Sequence, residues 1–474
     1  MSLWSTIRFA VQAAELGKVP RWRPERVERV AQRRLRRLVR LAAARAPFFA
    51  QKYRGLDINR FQLSDLPPTR KEDLRERFDD TLTDPAVRQE DVERFLADGS
   101  NRGRWFLDRY ALSHTSGSQG PPLLIVQERR ALEVLFGIMS SRAKAGGSPG
   151  VVEGWRRLRS PARLAIIVQH RGFYPSAAAF EFMPQIAGPF LRLEWFSATD
   201  PELVGSLKEF QPNVLVAYAS VLEALALQGD GLELGDLRQI GNTSEQLTER
   251  AKARIQRAFG VPILDHYGTG ECLMLADGCP THGGAHVNAD WAILEVVDND
   301  YRPVPPGELG QKVLITNMAN RVQPFIRYEV SDRVAMATEP CACGSRLPRI
   351  ARIEGRSAEA FWYRDARGSH RILPGVLFHS AVDELGDVRE WRAVQTERNQ
   401  VELQVELLGD HEAGFDAEAL VRRLRSFGLP REIDVDVELV LGLLPDRQTG
   451  KFRRMVSQIG PPDELAAREK LLAG

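Results

Sequence analysis

The period of apolar and polar positions changes along the chain and predicts alternating strands and helices. Three short β-rich runs lie at 163–169 ("RLAIIVQ"), 213–220 ("NVLVAYAS") and 261–268 ("VPILDHYG"), with helical patterns between them. This alternation is typical of an α/β fold with largely parallel strands. The same periodicity predicts a helix from about Pro24 to Tyr53 and another over 244–259.

Further along, the pattern indicates a change of architecture. The runs "WAILEVVD" and "KVLITNM" flank a turn-rich segment and predict antiparallel strands. After about residue 355 a smaller α/β pattern begins, with a helix from about Asp416 to Phe427. We therefore expect an α/β protein with a large N-terminal domain of mixed sheets flanked by helices (1–355). A small, mobile C-terminal α/β domain should follow (356–474).

Composition narrows the functional classes. The 474 residues include 65 Lys and Arg against 63 Asp and Glu, a net charge of +2, so charge gives no reason to expect nucleic acid as a partner. The sequence lacks a run of about 18 apolar residues that could span a membrane. The first residues also lack the charge pattern and cleavage site of a signal peptide. We expect a cytoplasmic protein without a membrane span.

The stretch "HTSGSQGPP" has the residue types of a phosphate-binding loop. Glycines let several backbone N–H groups face one point, and hydroxyl side chains add donors. The candidate residues are Thr115, Ser116, Gly117, Ser118 and Gly120. The stretch is not a Walker P-loop, because it lacks the GxxxxGK[ST] pattern. Taken alone, the stretch fits a plain turn between two strands better than a phosphate loop.

A second candidate, "DHYGTGE", directly follows an apolar strand. Such a turn leaves its side chains at the carboxyl edge of the sheet, where α/β proteins place ligands. Tyr267 could stack on a flat ring, and Glu271 could hold Mg²⁺. The alternative is a glycine-rich turn with a solvated glutamate.

Two further candidates lie later in the chain. Asp332, in "QPFIRYEVSDR", could accept hydrogen bonds from both hydroxyls of a ribose. Lys451, in "LLPDRQTGKFRR", lies on a turn near the end of the small domain. A basic cluster of this kind is also typical of an ordinary solvated surface.

The cysteines are few and clustered, which points to metal or chemistry rather than disulfides. Cys279-x₆-His286 and Cys341-x-Cys343 supply three thiolates and one imidazole. This is a complete tetrahedral Zn²⁺ set with no open position, so it predicts a structural metal. His282 is a competing imidazole, and four free cysteines are the alternative.

The four segments, in this order, resemble the adenylate-forming superfamily of acyl-CoA synthetases, adenylation domains and luciferases. The phenylacetate–CoA ligase-like branch is the most similar. The resemblance covers nearly the whole chain, because "APFFAQKYRGLDINRFQLSDLPPTRKEDLRERF" is also similar to the N-terminal region of that branch. Members of the branch also pair a Cys…His segment with a later Cys-x-Cys-Gly.

The resemblance implies a nucleotide site. The loop Thr115–Gly120 would close on the ATP phosphates. Ser244 and Glu245 in "GNTSEQLTE" would lie near the adenine. The next segment, His266, Tyr267 and Gly268, would also contact the nucleotide, with Tyr267 stacked on the adenine.

The remaining implied roles concern metal, ribose and catalysis. Glu271 would bind Mg²⁺ and act in catalysis, and Asp332 would bind the ribose. Arg356 matches an arginine near the interdomain hinge. Lys451 matches the lysine that enters the site during adenylation, where an ammonium stabilises charge developing at the α-phosphorus.

Three positions depart from the pattern of the superfamily. Pro121 stands where a lysine usually follows the last glycine of the phosphate loop. Gly270 replaces a hydroxyl residue, and Ala358 replaces one of an acidic pair. These departures bear on how the phosphates are held and on how the small domain moves.

The implied activity is ATP-dependent activation of a carboxylic acid, aromatic or a related small acid, as an acyl-adenylate with release of pyrophosphate. The acyl group would pass to an acceptor, possibly coenzyme A, although "RGSHRILPG" keeps only the spacing and proline of the corresponding CoA segment. The acid pocket should draw on the strand ends at Ala217–Ser220 and His266–Thr269. Alternatives are an adenylyltransferase acting on a hydroxyl, a non-catalytic zinc-stabilised nucleotide-binding protein, and a phosphotransferase that cleaves at the γ-phosphate.

Overall fold

The computed structural model divides the chain into two compact units. It describes residues 3–115, 122–142, 161–168, 173–187, 191–196, 202–227, 232–243, 247, 249–279, 281, 283–356, 361–368, 370–373, 376–382, 385, 387–408, 415–445 and 452–459. Unit 1 comprises Met1–Leu247, Ala253–Val330 and Val334–Arg352, and unit 2 comprises Thr248–Lys252, Ser331–Arg333 and Ile353–Gly474. The division after residue 355 and the mobility of the small domain stay predictions.

Helices dominate the first hundred residues. They are α1 (Leu3–Leu16), α2 (Pro24–Arg45), α3 (Pro47–Lys52), α4 (Lys71–Glu76), α5 (Phe78–Thr81) and α6 (Gln89–Ala97). Helix α2 buries one face that includes Leu35 and Leu38, as the apolar spacing predicts. The prediction of one continuous helix to Tyr53 is wrong. The chain is extended at Ala46 (φ −107°, ψ 112°) because Pro47 disfavours a helical conformation in the residue before it.

A hairpin and a parallel sheet follow. The hairpin pairs β1 (Tyr110–His114) with β2 (Leu124–Glu128) and leads into α7 (Arg129–Arg142). The sheet strands are β3 (Ala162–Ile167), β4 (Leu191–Trp195), β5 (Val214–Ala217), β6 (Gln239–Asn242) and β7 (Ile263–Asp265). They are parallel and lie in the order β4-β3-β5-β6-β7.

Helices are interspersed with these strands, as the sequence pattern predicts. They are α8 (Pro175–Glu181), α9 (Met183–Ala187), α10 (Leu203–Phe210), α11 (Ala219–Leu227) and α12 (Glu249–Phe259). The strand predicted at 213–220 is too long, because it ends at Ala217 and α11 begins at Ala219. The helix predicted over 244–259 is described from Glu249 onward. Since all the strands are parallel, their carboxyl ends meet at one edge of the sheet.

The next part of the chain, residues 267–356, is built from antiparallel sheets. Its strands are β8 (Tyr267–Thr269), β9 (Cys272–Gly278), β10 (Ala285–Val287), β11 (Ala292–Val297), β12 (Lys312–Asn317), β13 (Phe325–Val330), β14 (Asp332–Met336) and β15 (Arg349–Arg356). Strands β11, β12 and β13 form one sheet, and the predicted antiparallel pairing of β11 with β12 is confirmed. The other strands form a sheet in the order β14-β15-β10-β9-β8.

Unit 2 has its own core and an α/β pattern. Its elements are β16 (Phe361–Arg364), β17 (His370–Leu373), α13 (Val376–Val382), β18 (Val388–Glu397), β19 (Gln400–Leu407), α14 (Ala417–Ser426), β20 (Asp434–Leu439) and β21 (Met455–Ser457). Four strands form a sheet in the order β20-β19-β18-β21, over a core that includes Trp391 and Phe378. Helix α14 begins where predicted, because Asp416 Oδ1 accepts the Ala419 N–H at 2.8 Å and caps it.

The predicted fold class, α/β with mixed sheets flanked by helices and a small C-terminal α/β unit, is confirmed. The helices that the structure describes include none with the length and hydropathy of a membrane-spanning segment. Among the described residues, the four cysteines form no disulfide bond.

Candidate active site

The described ends of the predicted phosphate loop are joined by hydrogen bonds at the loop end of the β1–β2 hairpin. The Thr115 N–H donates to the Leu123 carbonyl at 3.0 Å, and Thr115 Oγ1 accepts the Leu123 N–H at 2.9 Å. Because the Thr115 hydroxyl is an acceptor in this pair, its own proton stays available for a ligand. The loop therefore starts from a fixed base.

The turn "DHYGTGE" lies between β7 and β9 and packs against this hairpin. A Cβ built on Gly270 would lie 3.0 Å from Pro175 Cγ, 3.1 Å from Ile125 Cδ1 and 3.5 Å from Thr115 Cγ2. The first two distances are tighter than ordinary contacts, so the absence of a side chain allows the turn to approach the loop. Gly270, a departure from the superfamily pattern, thus allows the turn to pack closely against the hairpin.

Gly268 lies so close to the backbone of β9 that a side chain does not fit at this position. A Cβ built on it would lie 1.9 Å from the Leu273 carbonyl oxygen. We expect Gly268→Ala to lower the free energy of unfolding by about 2 kcal/mol, because two backbone segments must move apart. Urea unfolding followed by circular dichroism checks this value. Gly235→Ala is the matched control, since nothing lies within 4 Å of its built Cβ, and equal losses in the two variants would contradict the assignment.

Glu271 places a carboxylate in this turn. The residue is 7% exposed, and its backbone carbonyl accepts a hydrogen bond from Asn317 Nδ2 at 2.7 Å. Among the described residues, no cation forms an ion pair with its carboxylate. Burial, together with the Glu271 charge, raises the pKa of the adjacent Cys272 thiol to about 12. A buried carboxylate without a protein cation is suited to hold a metal ion.

The described part of the adenine segment lies beside this turn. Asn242, at the end of β6, donates from Nδ2 to Asp265 Oδ1 at 2.7 Å, which joins the ends of β6 and β7. Tyr267 is buried and pairs with Ala276 of β9. His266, between β7 and β8, places Nδ1 3.5 Å from Asp277 Oδ1. The structure thus brings Thr115, His266, Tyr267, Gly268 and Glu271 to the carboxyl-end region of the parallel sheet.

Asp332 and Arg356 belong to strands β14 and β15. Asp332 is buried at the first position of β14. Its neighbour Arg333 pairs with Glu354 at 3.1 Å. Arg356 is the last residue of β15. The roles assigned to Asp332 and Arg356 stay predictions.

Several predicted site residues lie outside the described ranges. They are Ser116, Gly117, Ser118, Gly120, Ser244, Glu245 and Lys451. Pro121, Ala358 and the competing imidazole of His282 lie there too. The contacts proposed for these residues rest on the sequence.

The four predicted metal ligands meet in space. Their ligand atoms, from Cys279, His286, Cys341 and Cys343, lie within 4.8 Å of one another. Cys279 Sγ is 3.5 Å from Cys341 Sγ, and Cys343 Sγ is 3.2 Å from His286 Nε2. Residues separated by up to 64 positions converge here, so the cluster is not a product of local sequence.

The imidazole of His286 is oriented for metal binding. Its Nδ1 lies 3.1 Å from the Leu347 carbonyl oxygen, so Nδ1 carries the proton and Nε2 presents its lone pair to the thiols. Burial lowers the pKa of His286, which favours the neutral ring that a metal requires. A histidine ligand that donates its other N–H to a carbonyl is the usual arrangement around protein-bound metals.

The loop between β14 and β15, which carries Cys341, Cys343 and Leu347, also contacts the N-terminal part of the chain. Leu347 packs with Val19 and Val27 in a small hydrophobic cluster, and the Arg346 N–H donates to the Pro20 carbonyl at 2.7 Å. The His286–Leu347 hydrogen bond therefore connects the thiol cluster to residues near the start of the chain. Nothing in the sequence pattern indicated this connection.

Sequence reasoning also missed Asp277. This residue sits on β9 with both carboxylate oxygens buried, and neither has a hydrogen-bond partner among the described residues. Its contact with His266 depends on the pairing of β8 with β9, which the sequence does not reveal. The signal in the sequence that could have singled out Asp277 is its position two residues before the predicted metal ligand Cys279.

Comparisons with known proteins agree with this architecture. No protein-family model matches the chain. A curated phenylacetate–coenzyme A ligase of Thermus thermophilus is 26% identical over 93% of this chain and 98% of its own length. A phenylacetate–coenzyme A ligase of Escherichia coli is 23% identical over 68% of this chain and 70% of its own length.

Solved structures share the fold. A 2-hydroxyisobutyryl-CoA ligase in the postadenylation state superposes with a TM-score of 0.67, at 20% identity, over 96% of this chain and 94% of that chain. An o-succinylbenzoate coenzyme A synthetase from Bacillus subtilis, in complex with AMP, gives a TM-score of 0.52 at 16% identity over 72% of this chain and 67% of that one.

The chain thus shares the fold of these coenzyme A ligases, with a buried glutamate in a glycine-rich turn after a parallel strand. In sequence, the chain is similar over most of its length to curated phenylacetate–coenzyme A ligases.

Proposed function

We propose that this protein is an AMP-forming ligase that uses ATP to activate a small carboxylic acid, aromatic or related. The acid forms an acyl-adenylate, pyrophosphate leaves, and the acyl group then passes to an acceptor. The observation that carries this proposal is the Glu271 carboxylate, buried in a turn that packs on the base of the Thr115 loop. A carboxylate beside a loop rich in hydroxyl and backbone donors is suited to holding a nucleotide phosphate with its cation.

Residues around the turn would orient the nucleotide. Tyr267 would stack on the adenine and Asp332 would accept the ribose hydroxyls. The Thr115–Gly120 loop would hold the phosphates, with the Thr115 hydroxyl proton free to donate. Holding both reactants in line contributes to catalysis because it converts a bimolecular encounter into a unimolecular step.

The residues present fit a magnesium ion. Glu271 supplies a buried oxygen ligand that no described cation neutralises, and ATP would supply phosphate oxygens. When bound, Mg²⁺ supplies positive charge that offsets the charge developing on the phosphate oxygens. The acid carboxylate attacks the α-phosphorus, and the bond from that phosphorus to the bridging oxygen of pyrophosphate breaks.

Lys451 would place an ammonium group near the α-phosphate during this step. We expect the wild-type protein to catalyse acid-dependent exchange of labelled pyrophosphate into ATP. Lys451→Ala should slow this exchange about 100-fold, because one electrostatic contact to the transition state is lost. Arg431→Ala, at an exposed basic residue of unit 2, is the control and should retain the wild-type rate. Exchange unchanged by Lys451→Ala across active acids would refute the role of this lysine.

Coenzyme A is the acceptor we propose. Its thiol would attack the acyl carbonyl, and AMP would leave with the bridging oxygen. Detection of an acyl-CoA supports this acceptor, whereas an AMP-modified hydroxyl compound would indicate an adenylyltransferase. ATP binding without exchange for any acid would indicate a non-catalytic protein. We propose a cytoplasmic location, where ATP and coenzyme A are both supplied.

We also propose that the Cys279–His286–Cys341–Cys343 cluster binds one structural Zn²⁺. Three thiols and one neutral imidazole, with ligand atoms within 4.8 Å of one another, match the ligand number and chemistry of a closed zinc site. Burial raises the pKa of the Cys343 thiol to about 12, so a bound cation is needed to keep this group as a thiolate. When bound, Zn²⁺ would crosslink β9, β10 and the loop at 341–343.

A further inference from the structure

One face of helix α2 carries a row of five exposed arginines. They are Arg29, Arg33, Arg36, Arg37 and Arg40. Their successive separations of four, three, one and three residues place them on one side of the helix. We call this row, which extends about 16 Å along the helix axis, the arginine face.

The protein itself does not neutralise the arginine face. Among the residues that the structure describes, no carboxylate pairs with these five guanidinium groups, whereas Arg34 of the same helix pairs with Asp290 at 3.2 Å. The acidic residues of α2, Glu25 and Glu28, precede the row, and none follows them in the helix. The whole chain has a net charge of only +2, so the arginine face is a local excess of positive charge.

The other side of α2 fixes the helix in the protein. Leu35, Leu38, Val39 and Ala42 are at most 2% exposed. The arginine face is therefore presented outward on a helix that is held by its packing. Like charges at these spacings repel one another and destabilise a helix, so an anionic partner would relieve a strain that the packing sustains.

The residue type favours phosphate as the anion. Every cation of α2 is an arginine, and a guanidinium group can donate two parallel N–H bonds to the oxygens of one phosphate. A straight row on a fixed helix suits a flat array of phosphates. Clusters of about four to eight basic residues on an amphipathic helix are typical of binding to anionic lipid headgroups.

Helix α1 provides a second, apolar signal. Val11 is 59% exposed, and Ala10 and Ala14 on the same helix are exposed as well. Ile7 and Trp4, four and seven positions before Val11, are also apolar. A lipid surface offers hydrocarbon beneath its phosphates, whereas a nucleic-acid duplex does not. Apolar contact and attraction to anionic headgroups both contribute to binding at a membrane surface, so the two helices together favour lipid.

We propose that the arginine face binds the surface of a phospholipid membrane that carries anionic headgroups, with α1 adding an apolar contact. The attachment is peripheral, because the opposite side of α2 stays packed in the protein. This interaction is separate from the acid-activating function and would hold the enzyme at a membrane surface.

Flotation with lipid vesicles tests the proposal on the whole protein. The wild-type protein should float with vesicles of phosphatidylcholine mixed with phosphatidylglycerol and stay unbound with phosphatidylcholine alone. The bound fraction should fall as the salt concentration is raised, because salt screens exposed charges. Equal binding to the two kinds of vesicle, or binding to neither, would overturn the proposal.

Two variants with the same net charge separate the arginine face from charge in general. The test variant carries Arg33→Gln, Arg36→Gln, Arg37→Gln and Arg40→Gln. It should lower the partition coefficient on anionic vesicles about 100-fold, because each basic residue near such a surface contributes to binding. Glutamine has a helix propensity close to that of arginine, so α2 should be retained.

The control variant loses four exposed arginines that lie elsewhere in the chain. It carries Arg60→Gln, Arg302→Gln, Arg367→Gln and Arg431→Gln. Its partition coefficient should stay within about fivefold of wild type. Equal losses in the two variants would overturn the proposal, because they would show that net charge rather than the arginine face determines binding.

A nucleic acid is the competing polyanion. Fluorescence anisotropy with a labelled DNA duplex and a labelled single strand, at the same salt concentration, measures it. Binding to either at a lower protein concentration than binding to the anionic vesicles would overturn the proposal. Without lipid, both variants should catalyse pyrophosphate exchange at the wild-type rate. Absence of exchange in all three proteins would count against the proposed function and not against the membrane contact, because flotation does not depend on turnover.

Discussion

Replacing Glu271 with glutamine is expected to slow acid-dependent pyrophosphate exchange about 1,000-fold. The carboxylate is buried, and no described cation neutralises it, so its charge is available to a metal ion on the nucleotide. Glutamine keeps the shape and the backbone hydrogen bond from Asn317 but removes the charge. Initial rates measured at several Mg²⁺ concentrations check the result, and the variant should need more Mg²⁺ for half-maximal exchange.

Glu308→Gln is the matched control for this experiment. Glu308 is exposed and precedes β12, so its replacement should leave the exchange rate within about twofold of wild type. Circular dichroism of both variants establishes that they are folded. A Glu271→Gln protein that exchanges pyrophosphate at the rate of the control would show that this carboxylate does not hold the catalytic cation.

Removal of one thiol from the cluster is the second large expected effect. Cys279→Ser should abolish stoichiometric zinc and lower the free energy of unfolding by about 4 kcal/mol at a free zinc concentration about 1,000 times Kd. The loss should extend to the N-terminal segment, because His286 reaches Leu347, and Leu347 packs on Val19 and Val27. Elemental analysis measures the metal, and urea unfolding measures the stability.

Cys272→Ala is the control, because Cys272 is the one cysteine outside the cluster of ligand atoms in the described chain. This variant should keep one zinc per chain. Limited trypsin digestion provides a local readout, and the Cys279→Ser protein should be cut faster after Arg21 than the control. Equal zinc content in the two variants, or equal cleavage rates, would contradict the proposed zinc site or its link to the N-terminal segment.

Local signals in the sequence were sufficient for much of the fold. The alternation of apolar runs located the parallel strands, and Asp416 marked the start of a helix because its capping hydrogen bond involves residues only three positions apart. Pro47 indicates a break at Ala46, but the helical periodicity on both sides of it predicts one continuous helix. The end of β5 at Ala217 was not readable, because the apolar pattern continues into α11.

The candidate site shows where sequence reasoning ends. The convergence of Cys279, His286, Cys341 and Cys343 could be predicted because cysteine is rare in this chain and its chemistry is specific. The pairing of His266 with Asp277 could not, since it depends on the register of β8 against β9. The reason for Gly270 was also hidden, because Pro175 and Ile125, which exclude a side chain there, are distant in sequence.

The central claim is that the acid carboxylate attacks the α-phosphorus of ATP, and an isotope experiment tests it most directly. An acid labelled with ¹⁸O in its carboxylate is incubated with the protein, ATP, Mg²⁺ and coenzyme A, and the phosphorus products are examined by mass spectrometry. The account predicts AMP that carries one ¹⁸O atom and unlabelled pyrophosphate. Formation of ADP with ¹⁸O in inorganic phosphate would contradict it, because that result places the attack at the γ-phosphorus.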